Sequence, residues 1–355
     1  MTIIAHIDMD CFFCACEEKY HPELKGVPVV VGGLFERSVV STSNYIARKY
    51  GVFSAMPTIT AKRLCPNATF LNVNMQLYKE ESNKVMQILK QFTNQFLQAS
   101  IDEAYLDLTN FSKQFSTLEE MGLFIINKVR KETQLTCSIG IAECKIIAKI
   151  ASDFNKPNGC TVVKNQEEFL APLNVRKIPG IGKKSVKKYY DNKIYTINDL
   201  VKSDKFKLMD IGGKQAIKYQ QIAKGEIKIK LEKQEERKSI STEQTFQKDT
   251  TNFHQLNKTI DEMCEQIYEG LNNIYFRTIS VKIRYKNFKT ITRDYSLHNG
   301  TNSIEILKEI SHIMFDENYE IGNPIRLIGL KVSNFINNIH RQTRLTEFFS
   351  IGSTS

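Results

Sequence analysis

Three acidic residues that lie far apart along the chain could together bind a metal ion. Asp8 ends a β-prone apolar segment at the start of the sequence, and Asp102-Glu103 stands between two further β-prone segments. If these strands are neighbours in a sheet, the three carboxylates converge and raise each other's pKa unless a divalent cation lies between them. Mg²⁺ held by carboxylates and substrate phosphates is the usual arrangement. The same acids could instead cap helices or face solvent, and spacing alone leaves both interpretations open.

Groups suited to phosphate lie in two other segments. Residues 41–49 place Tyr45 and Arg48 three positions apart, on one face of a predicted helix, with Thr42 at its entrance. The guanidinium fork matches phosphate oxygens, and the hydroxyls add donors. Lys156-Pro-Asn-Gly159 adds a cation on a turn. Each group alone would be a solvated charge, but acids for a metal and cations for phosphates are together typical of phosphoryl transfer.

The elements that must position these groups alternate between strand and helix over about the first 163 residues. We predict strands over residues 2–10, 27–31, 96–101, 104–108, 136–141 and 160–163, and helices up to residue 20 and over 43–50, 77–92, 118–129 and 145–154. This alternation predicts an α/β or α+β sheet with helices packed on it.

The pattern changes after residue 163. Residues 165–225 are predicted to form short helices, and residues 228–238 hold eight charges in eleven positions, which is typical of an exposed linker. A second α/β unit is predicted over 239–336, with a helix over 253–272 and strands over 277–285 and 289–297. The last twenty residues are predicted to be a tail.

Composition indicates a globular protein with a polyanionic partner. The 355 residues are 41% hydrophobic and 25% charged, which allows two or three domains with sizeable cores. The net charge of +10 favours nucleic acid or an anionic membrane surface. No apolar run approaches the roughly 18–20 residues that span a bilayer. The start lacks the basic region of a secretory signal, so no membrane association is expected.

The eight cysteines are spread along the chain, as expected of reduced thiols in a cytoplasmic protein. Cys11-x-x-Cys14 could be half of a zinc site, but no matching CxxC or His pair follows it.

Several motifs occur in the order found in one family of enzymes. They are Asp8-Met-Asp-Cys-Phe-Phe13, residues 41–49, Ser54-Ala-Met-Pro57, Ser100-Ile-Asp-Glu-Ala-Tyr-Leu-Asp107, Ser138-Ile-Gly-Ile141 and Lys156-Pro-Asn-Gly159. The chain resembles the Y-family translesion DNA polymerases, specifically an archaeal-like member of the DNA polymerase IV (DinB) branch, over about residues 1–336.

The resemblance implies an α+β fold in several domains. These are a palm with a mixed or antiparallel sheet and helices (1–10 and 75–163), small fingers (11–74), a helical thumb with a helix-hairpin-helix (164–227), a linker (228–238), a C-terminal α/β little finger (239–336) and a tail (337–355).

The resemblance also implies roles for the acids around two Mg²⁺ ions, or Mn²⁺. Asp8 and Asp102 would hold both ions, and Glu103 would bind the one that lowers the pKa of the primer 3′-hydroxyl. Asp10 and Asp107 are interpreted as structural, as a helix N-cap and a strand-end charge. The implied metal ligands are Asp8, Asp102, Glu103 and the main-chain carbonyl of Met9.

Phe13 is similar to the family's steric gate, an aromatic ring that leaves no room for a ribose 2′-hydroxyl. Outside the family such a residue would be a core aromatic behind the catalytic strand. The stretch Gly32–Ser38 varies in length among relatives, which leaves the fingers' contact to the templating base open. The implied triphosphate-binding residues are Thr42, Tyr45, Arg48 and Lys156.

Ile178-Pro-Gly-Ile-Gly182 is a helix-hairpin-helix signature, in which glycines let the backbone approach a phosphate. A Pro-Gly turn between two packed helices is the alternative. Ile211-Gly-Gly-Lys214 is a weaker candidate for a second copy. The predicted DNA contacts here are Gly180, Gly182 and Lys183.

Basic residues recur in the second unit. Lys282, Arg284 and Lys286 alternate and are predicted to share one sheet face, suited to a duplex backbone unless they are merely solvated. Lys238, Ser239 and Arg326 also resemble DNA contacts.

The tail segment Gln342-Thr-Arg-Leu-Thr-Glu-Phe-Phe349 fits the peptide that docks on sliding clamps of the archaeal and eukaryotic type, and it suggests an archaeal source. A last helix that folds back on the protein is the alternative. The predicted clamp contacts are Gln342, Leu345, Phe348 and Phe349.

The predicted function is template-directed, low-fidelity addition of dNTPs to a primer by a cytoplasmic monomer without a proofreading exonuclease. A catalytically silent DNA-binding or clamp-adaptor protein would lack primer extension with Mg²⁺. A metal-dependent nuclease would degrade DNA without dNTPs.

Overall fold

The computed structural model describes residues 2–227, 231 and 236–336. The chain divides into two compact units, Met1–Gln234 and Glu235–Ser355. This division falls inside the predicted linker, while the predicted limits of palm, fingers and thumb stay predictions. The predicted tail with its clamp peptide lies outside the described residues. Among the residues that are described, no helix is long and apolar enough to cross a membrane.

The first unit alternates strands and helices in its first two thirds and is helical thereafter. Its strands are β1 (Ile4–Met9), β2 (Val29–Gly32), β3 (Val40–Ser43), β4 (Thr69–Leu71), β5 (Phe96–Gln98), β6 (Glu103–Asp107), β7 (Cys137–Ala142) and β8 (Cys160–Val162). Its helices are α1 (Phe12–Tyr20), α2 (Tyr45–Lys49), α3 (Thr58–Leu64), α4 (Met75–Leu89), α5 (Leu118–Thr133), α6 (Lys145–Ser152), α7 (Gln166–Leu170), α8 (Lys183–Asp191), α9 (Ile197–Lys202) and α10 (Lys205–Ala223), with short 3₁₀ turns at Pro22–Leu24, Phe111–Gln114 and Val175–Lys177.

The main sheet has the order β5-β6-β1-β7-β8 and is mixed, because only β7 and β8 are parallel. Its central strand β1 is buried on both faces. Ala5, Ile7 and Met9 join the core that contains residues of α4 and α5. Ile4 joins the core that contains residues of α6. Since side chains alternate along a strand, His6 and Asp8 face the same side as Ile4, towards α6.

Helix α6 lies directly on β7. A Cβ at Gly140 would collide with the Ala148 carbonyl oxygen and the Ser152 amide nitrogen. The close approach brings α6 side chains over the end of β1, which positions the site described below.

A small sheet of order β3-β2-β4 packs against α2 and α3 through Val30, Val40, Ala47 and Ala61. The prediction that a helix begins at Ser43 with Thr42 at its entrance is wrong, because residues 41–43 pair with β2 as a strand. The helix begins at Tyr45, and the Asn44 side chain caps it by accepting from the Ala47 amide at 2.9 Å.

Residues 165–225 are helical, as predicted. Gly182 is the N-cap residue of α8, and Gly180 has φ +103°, a conformation that favours glycine. Residues 211–214 lie inside α10, where Gly213 at φ +62° interrupts the helical backbone.

The second unit is an antiparallel sheet of order β11-β10-β12-β9 with two helices on one face. Its elements are β9 (Ser239–Thr250), α11 (Phe253–Leu271), β10 (Tyr275–Tyr285), β11 (Thr290–Thr301), α12 (Ile304–Asn318) and β12 (Ile325–Ile336). Ile279, Val281 and Ile283 pack in the core with Leu256 and Ile260 of α11, which leaves the alternate residues of β10 on the other face. The predicted α+β fold is confirmed; β9, α12 and β12 were not predicted.

Candidate active site

The register of β1 brings two of the three predicted acids together. Asp8 lies directly opposite Glu103 in the antiparallel β1–β6 pair. Residues opposite each other across a pair of strands project from the same face, so both carboxylates face α6. The Met9 amide donates to the Asp102 carbonyl at 3.0 Å, which brings the backbone of the third acid to the same end of the sheet. The Asp102 carboxylate itself accepts from the Ser100 hydroxyl at 2.5 Å.

A lysine forms an ion pair with the Asp8 carboxylate. The Lys156 Nζ lies 2.5 Å from Asp8 Oδ1 and 3.1 Å from Asp153 Oδ1. Burial raises the pKa of Asp8 to about 7 even though Lys156 opposes this rise. Burial also lowers the pKa of Lys156, but the two carboxylates raise it more, and the net change is upward. The raised pKa of Asp8 means that one lysine does not fully compensate the buried negative charge.

Glu103 has two neighbours that sequence reasoning missed. The His6 Nε2 lies 3.5 Å from Glu103 Oε2, and the Lys149 Nζ lies 2.5 Å from the same oxygen. These contacts, His6 first, hold the pKa of Glu103 far below its ordinary value. His6 is fully buried, which lowers its own pKa, and its Nδ1 lies 2.7 Å from the Ser152 hydroxyl. The position of His6, two residues before Asp8 on the same strand, indicates that both side chains share one face. No local sequence pattern, in contrast, shows that α6 and its Lys149 cover this face.

The interpretation of Asp10 as a helix N-cap is wrong. The N-cap residue of α1 is Cys11, with left-handed backbone at φ +46°, and no side chain caps the helix. Asp10 instead accepts hydrogen bonds from the Ser138 hydroxyl at 2.8 Å, the Asn158 amide at 2.8 Å and the Tyr45 hydroxyl at 3.4 Å. It is held by tertiary contacts that no helix signal in the sequence predicts.

Tyr45 and Arg48 share one side of α2. The guanidinium carbon of Arg48 lies 5.0 Å from the centroid of the Tyr45 ring, and Arg48 Nε donates to the Ser43 carbonyl at 3.0 Å. Burial raises the pKa of Tyr45 well above its ordinary value. Through Asp10 the Tyr45 hydroxyl lies near the turn that carries Lys156. The structure thus brings Tyr45, Arg48 and Lys156 into one region, and Thr42 lies next to it in β3, one residue before Ser43, whose carbonyl accepts from Arg48 Nε.

Phe13 is half-buried in α1 and stacks on Tyr78. The ring centroids are 4.2 Å apart with an interplanar angle of 12°. Tyr78 is fully buried and donates to Glu17 Oε1 at 2.6 Å. The fully buried Tyr78 ring therefore supports one face of the Phe13 ring, and the sequence analysis did not single out Tyr78.

The hairpin at residues 178–182 lines an open groove of about 340 Å³ together with residues of the α6 region. Lys149 and Asp153 of the α6 region line one side, and Pro179, Gly180 and Gly182 line the other. A Cβ at Gly180 would collide with the Tyr219 hydroxyl, so this position requires glycine in space as well as in φ.

Basic residues of the second unit lie on the sheet face that its helices leave open. Lys282 and Arg284 project there, but Lys286 lies beyond the end of β10, where its amide donates to the Pro324 carbonyl. The place of Lys286 on the same face as Lys282 and Arg284 therefore stays a prediction. Lys282 pairs with Glu243 at 2.7 Å, and Arg284 Nε donates to the Thr290 hydroxyl at 2.9 Å.

Three further predicted DNA contacts belong to the same unit, and one of them, Lys238, is exposed just before β9. Ser239 is exposed at the start of β9, and the guanidinium carbon of Arg326 lies 4.8 Å from the centroid of the Phe288 ring.

Family models match most of the chain. The model described as impB/mucB/samB family matches residues 7–153, the one for that family's C-terminal domain matches residues 237–345, and the one for the IMS family HHH motif matches residues 163–193.

Full-length relatives agree with these matches. A DNA polymerase IV of Staphylococcus aureus (strain Newman) is 35% identical over 97% of this chain and 98% of its own. A DNA polymerase IV of Methanoculleus marisnigri is 38% identical over 98% of both chains.

The chain belongs to the Y-family of DNA polymerases.

Solved structures of this family share the fold. A Y-family chimera of the polymerases Dbh and Dpo4 superposes with a TM-score of 0.83 at 28% identity, covering 95% of this chain and 100% of that one. DinB from Sulfolobus solfataricus has a TM-score of 0.64 at 27% identity with the same coverage. The protein is a DNA-directed DNA polymerase of the DNA polymerase IV branch that performs translesion DNA synthesis.

Y-family polymerases use a divalent metal ion. Within the described ranges of this polymerase, no three His, Cys, Asp or Glu side chains surround a common point. The donor chemistry nevertheless fits a hard cation, because Asp8 and Glu103 present carboxylate oxygens on one face and the buried Asp8 is incompletely neutralised.

Removing the negative partner of Lys282 should strengthen DNA binding by this polymerase. In Glu243→Gln the lysine keeps a hydrogen-bond partner but loses its counter-charge. We expect the Kd for a primer–template duplex to fall about threefold near 0.1 M salt, with a slope of log K against log salt steeper by about 0.9. Fluorescence anisotropy across a salt series measures both.

The matched control is Glu265→Gln, which breaks the 2.9 Å pair with Lys308 between α11 and α12, on the helical side of the same unit. Equal Kd values and slopes for the two variants and the wild type would contradict a DNA contact by Lys282.

Proposed function

We propose that this Y-family polymerase extends its primer at the end of β1, with Asp8, Asp102 and Glu103 as the catalytic acids. The single observation that carries the proposal is the register that sets Asp8 opposite Glu103. Asp8 lies 94 residues before Asp102 in sequence, and the β1–β6 pairing makes it the direct neighbour of Glu103.

The metal ions that we propose are two Mg²⁺, with Mn²⁺ as a substitute. When bound, they would lower the pKa of the primer 3′-hydroxyl and neutralise phosphate charge. Asp8 and Asp102 would hold both ions, Glu103 would hold the catalytic one, and the Met9 carbonyl would complete the set. The oxygen-only donor set supports this choice.

We propose that Tyr45, Arg48 and Lys156 bind the triphosphate, with Thr42 beside them. A planar guanidinium and a phenol hydroxyl lie together on α2, and an ammonium lies on the neighbouring turn. These donors neutralise and orient phosphate oxygens, which is how proteins accelerate phosphoryl transfer. The link between α2 and the turn through Asp10 supports a common ligand.

Phe13 is proposed to exclude ribonucleotides. Its stacking on the fully buried Tyr78 supports this role, because a ring that is backed by a packed aromatic cannot retreat from a 2′-hydroxyl.

DNA would be held without regard to sequence. The hairpin amides and glycines approach a phosphate closely, and the open face of the second unit adds basic side chains. The proposed contacts are Gly180, Gly182, Lys183, Lys238, Ser239, Lys282, Arg284, Lys286 and Arg326.

The finer cellular assignments are also proposals. We place the polymerase in the cytoplasm as a monomer, where it meets primer-template DNA and dNTPs. Its tail would bind a sliding clamp of the archaeal or eukaryotic type through Gln342, Leu345, Phe348 and Phe349.

Alanine at Asp8 or Glu103 should abolish primer extension while DNA binding stays nearly intact. The loss should exceed about a thousandfold, because each carboxylate would hold a metal ion that acts on the charge developing at the reacting atoms. Gel-resolved extension with Mg²⁺ and anisotropy with the same duplex measure the two properties. Extension at the wild-type rate by either purified, folded variant would contradict the assignment.

Phe13→Ala should admit ribonucleotides. We expect the ratio of kcat/KM for dNTP over rNTP to fall by at least about a hundredfold, since the wild-type contact is steric and an alanine leaves the space of the ring. Single-nucleotide insertion with matched dNTP and rNTP measures this ratio. An unchanged ratio with normal dNTP insertion would reject the gate.

Deletion of residues 342–355 should remove stimulation by a clamp and leave basal extension unchanged. Extension by the full and shortened chains, each with and without a purified archaeal clamp, measures this. Equal stimulation of the two chains would rule out the tail as the docking peptide.

A further inference from the structure

We infer that Asp10 is a positioning residue that sets the affinity for the incoming nucleotide by holding the Lys156 turn against α2. This inference rests on the proposed nucleotide site and assigns it a residue that does not itself touch substrate.

Asp10 is buried, with 3% of its surface exposed, and both carboxylate oxygens are used. Oδ1 accepts from the Ser138 hydroxyl of β7 and the Tyr45 hydroxyl of α2, and Oδ2 accepts from the Asn158 amide. The donors are neutral and come from three separate elements. A carboxylate accepting several such bonds fixes the relative positions of the groups that donate them.

The turn that Asp10 holds is tightly specified. Asn158 has a left-handed backbone at φ +55°, a conformation that asparagine adopts more readily than most residues other than glycine. The next amide, that of Gly159, donates to the same Ser138 hydroxyl at 3.3 Å. A Cβ at Gly159 would collide with the Asn155 carbonyl oxygen. The Asp10–Ser138 pair thus holds two consecutive amides just after Lys156 and so sets where its ammonium can reach.

The other end of the contact is the predicted triphosphate-binding helix. Tyr45 reaches Asp10 through its hydroxyl at 3.4 Å and carries the Arg48 guanidinium over its ring. Asp10 is therefore a shared anchor of the segments that bear Tyr45, Arg48 and Lys156. If the anchor is removed, these three side chains lose their common placement. Nucleotide binding then weakens more than the rate of the chemical step falls.

A purely structural anchor provides the comparison. Asp107 ends β6 and accepts from the Thr109 amide at 2.9 Å and hydroxyl at 2.5 Å. It pairs with Ile4 at the end of β1 remote from Asp8. Loss of the Asp107 carboxylate removes local hydrogen bonds of the same kind. Asp107 itself, however, lies away from the proposed nucleotide site.

The test measures single-nucleotide insertion by Asp10→Ala, Asp10→Asn and Asp107→Ala, each alone and in a Lys156→Ala background. We expect Asp10→Ala to raise KM for dNTP about tenfold with kcat changed less than about threefold, and Asp107→Ala to leave both unchanged. Asp10→Asn should restore KM to within about threefold, because the amide oxygen can accept from Asn158 and the amide nitrogen can donate to Ser138. In the Lys156→Ala background, Asp10→Ala should raise KM by less than about fivefold, because the part of its effect that acts through Lys156 is already lost.

An unchanged KM in folded Asp10→Ala, or an effect that adds fully to that of Lys156→Ala, would overturn the inference. If Asp10→Ala does not fold, Ser138→Ala takes its place, with a KM rise of about threefold that is again absorbed by Lys156→Ala. Primer extension by the wild-type enzyme is measured separately, and its absence would count against the proposed function. An unaltered KM for dNTP in an active Asp10→Ala enzyme would count only against the role of Asp10.

Discussion

The antiparallel pairing of β1 with β6 and β7 is the constraint on which the site depends. It sets Asp8 opposite both Glu103 and Ser138, and it sets the Met9 amide on the Asp102 carbonyl. Because side chains alternate, a slip of one residue would turn Asp8 towards the apolar core of α4 and α5. Ile7 and Met9 oppose that slip, since it would move their side chains out of this apolar core and onto the α6 side. Burial of apolar side chains therefore fixes the position of the acids.

Electrostatic balance is the second constraint. Two carboxylates project from the same face at the end of one strand pair, and a lysine from the neighbouring α6 region compensates each of them. A partly buried charge without its partner is strongly destabilising, so the lysines stabilise the fold and the acids together. The raised pKa of Asp8 shows that this compensation is incomplete. The proposed divalent cation and triphosphate would complete the balance.

Much of the fold and of the candidate site could be predicted from sequence, because apolar periodicity and ordered motifs mark them directly. Strand β7, helix α6 and the Phe253–Leu271 helix lie close to their predicted bounds. The errors arose where tertiary contacts decide local structure. Thr42 lies in a strand because residues 40–43 pair with β2, and Asp10 holds a distant turn instead of a helix end. His6 and Lys149 were missed because their role depends on where α6 packs, which no local pattern contains.

Asp8 and Glu103 are proposed to hold a divalent metal at the primer terminus. A crystal structure of the polymerase with a dideoxy-terminated primer–template, the next dNTP and Mn²⁺ tests it most directly, because anomalous scattering locates the metal without assumption. The account predicts anomalous peaks within about 2.3 Å of carboxylate oxygens of Asp8 and Glu103, with the Lys156 ammonium on the triphosphate. Manganese bound elsewhere, with Lys156 still paired to Asp8 while the nucleotide is in place, would contradict it.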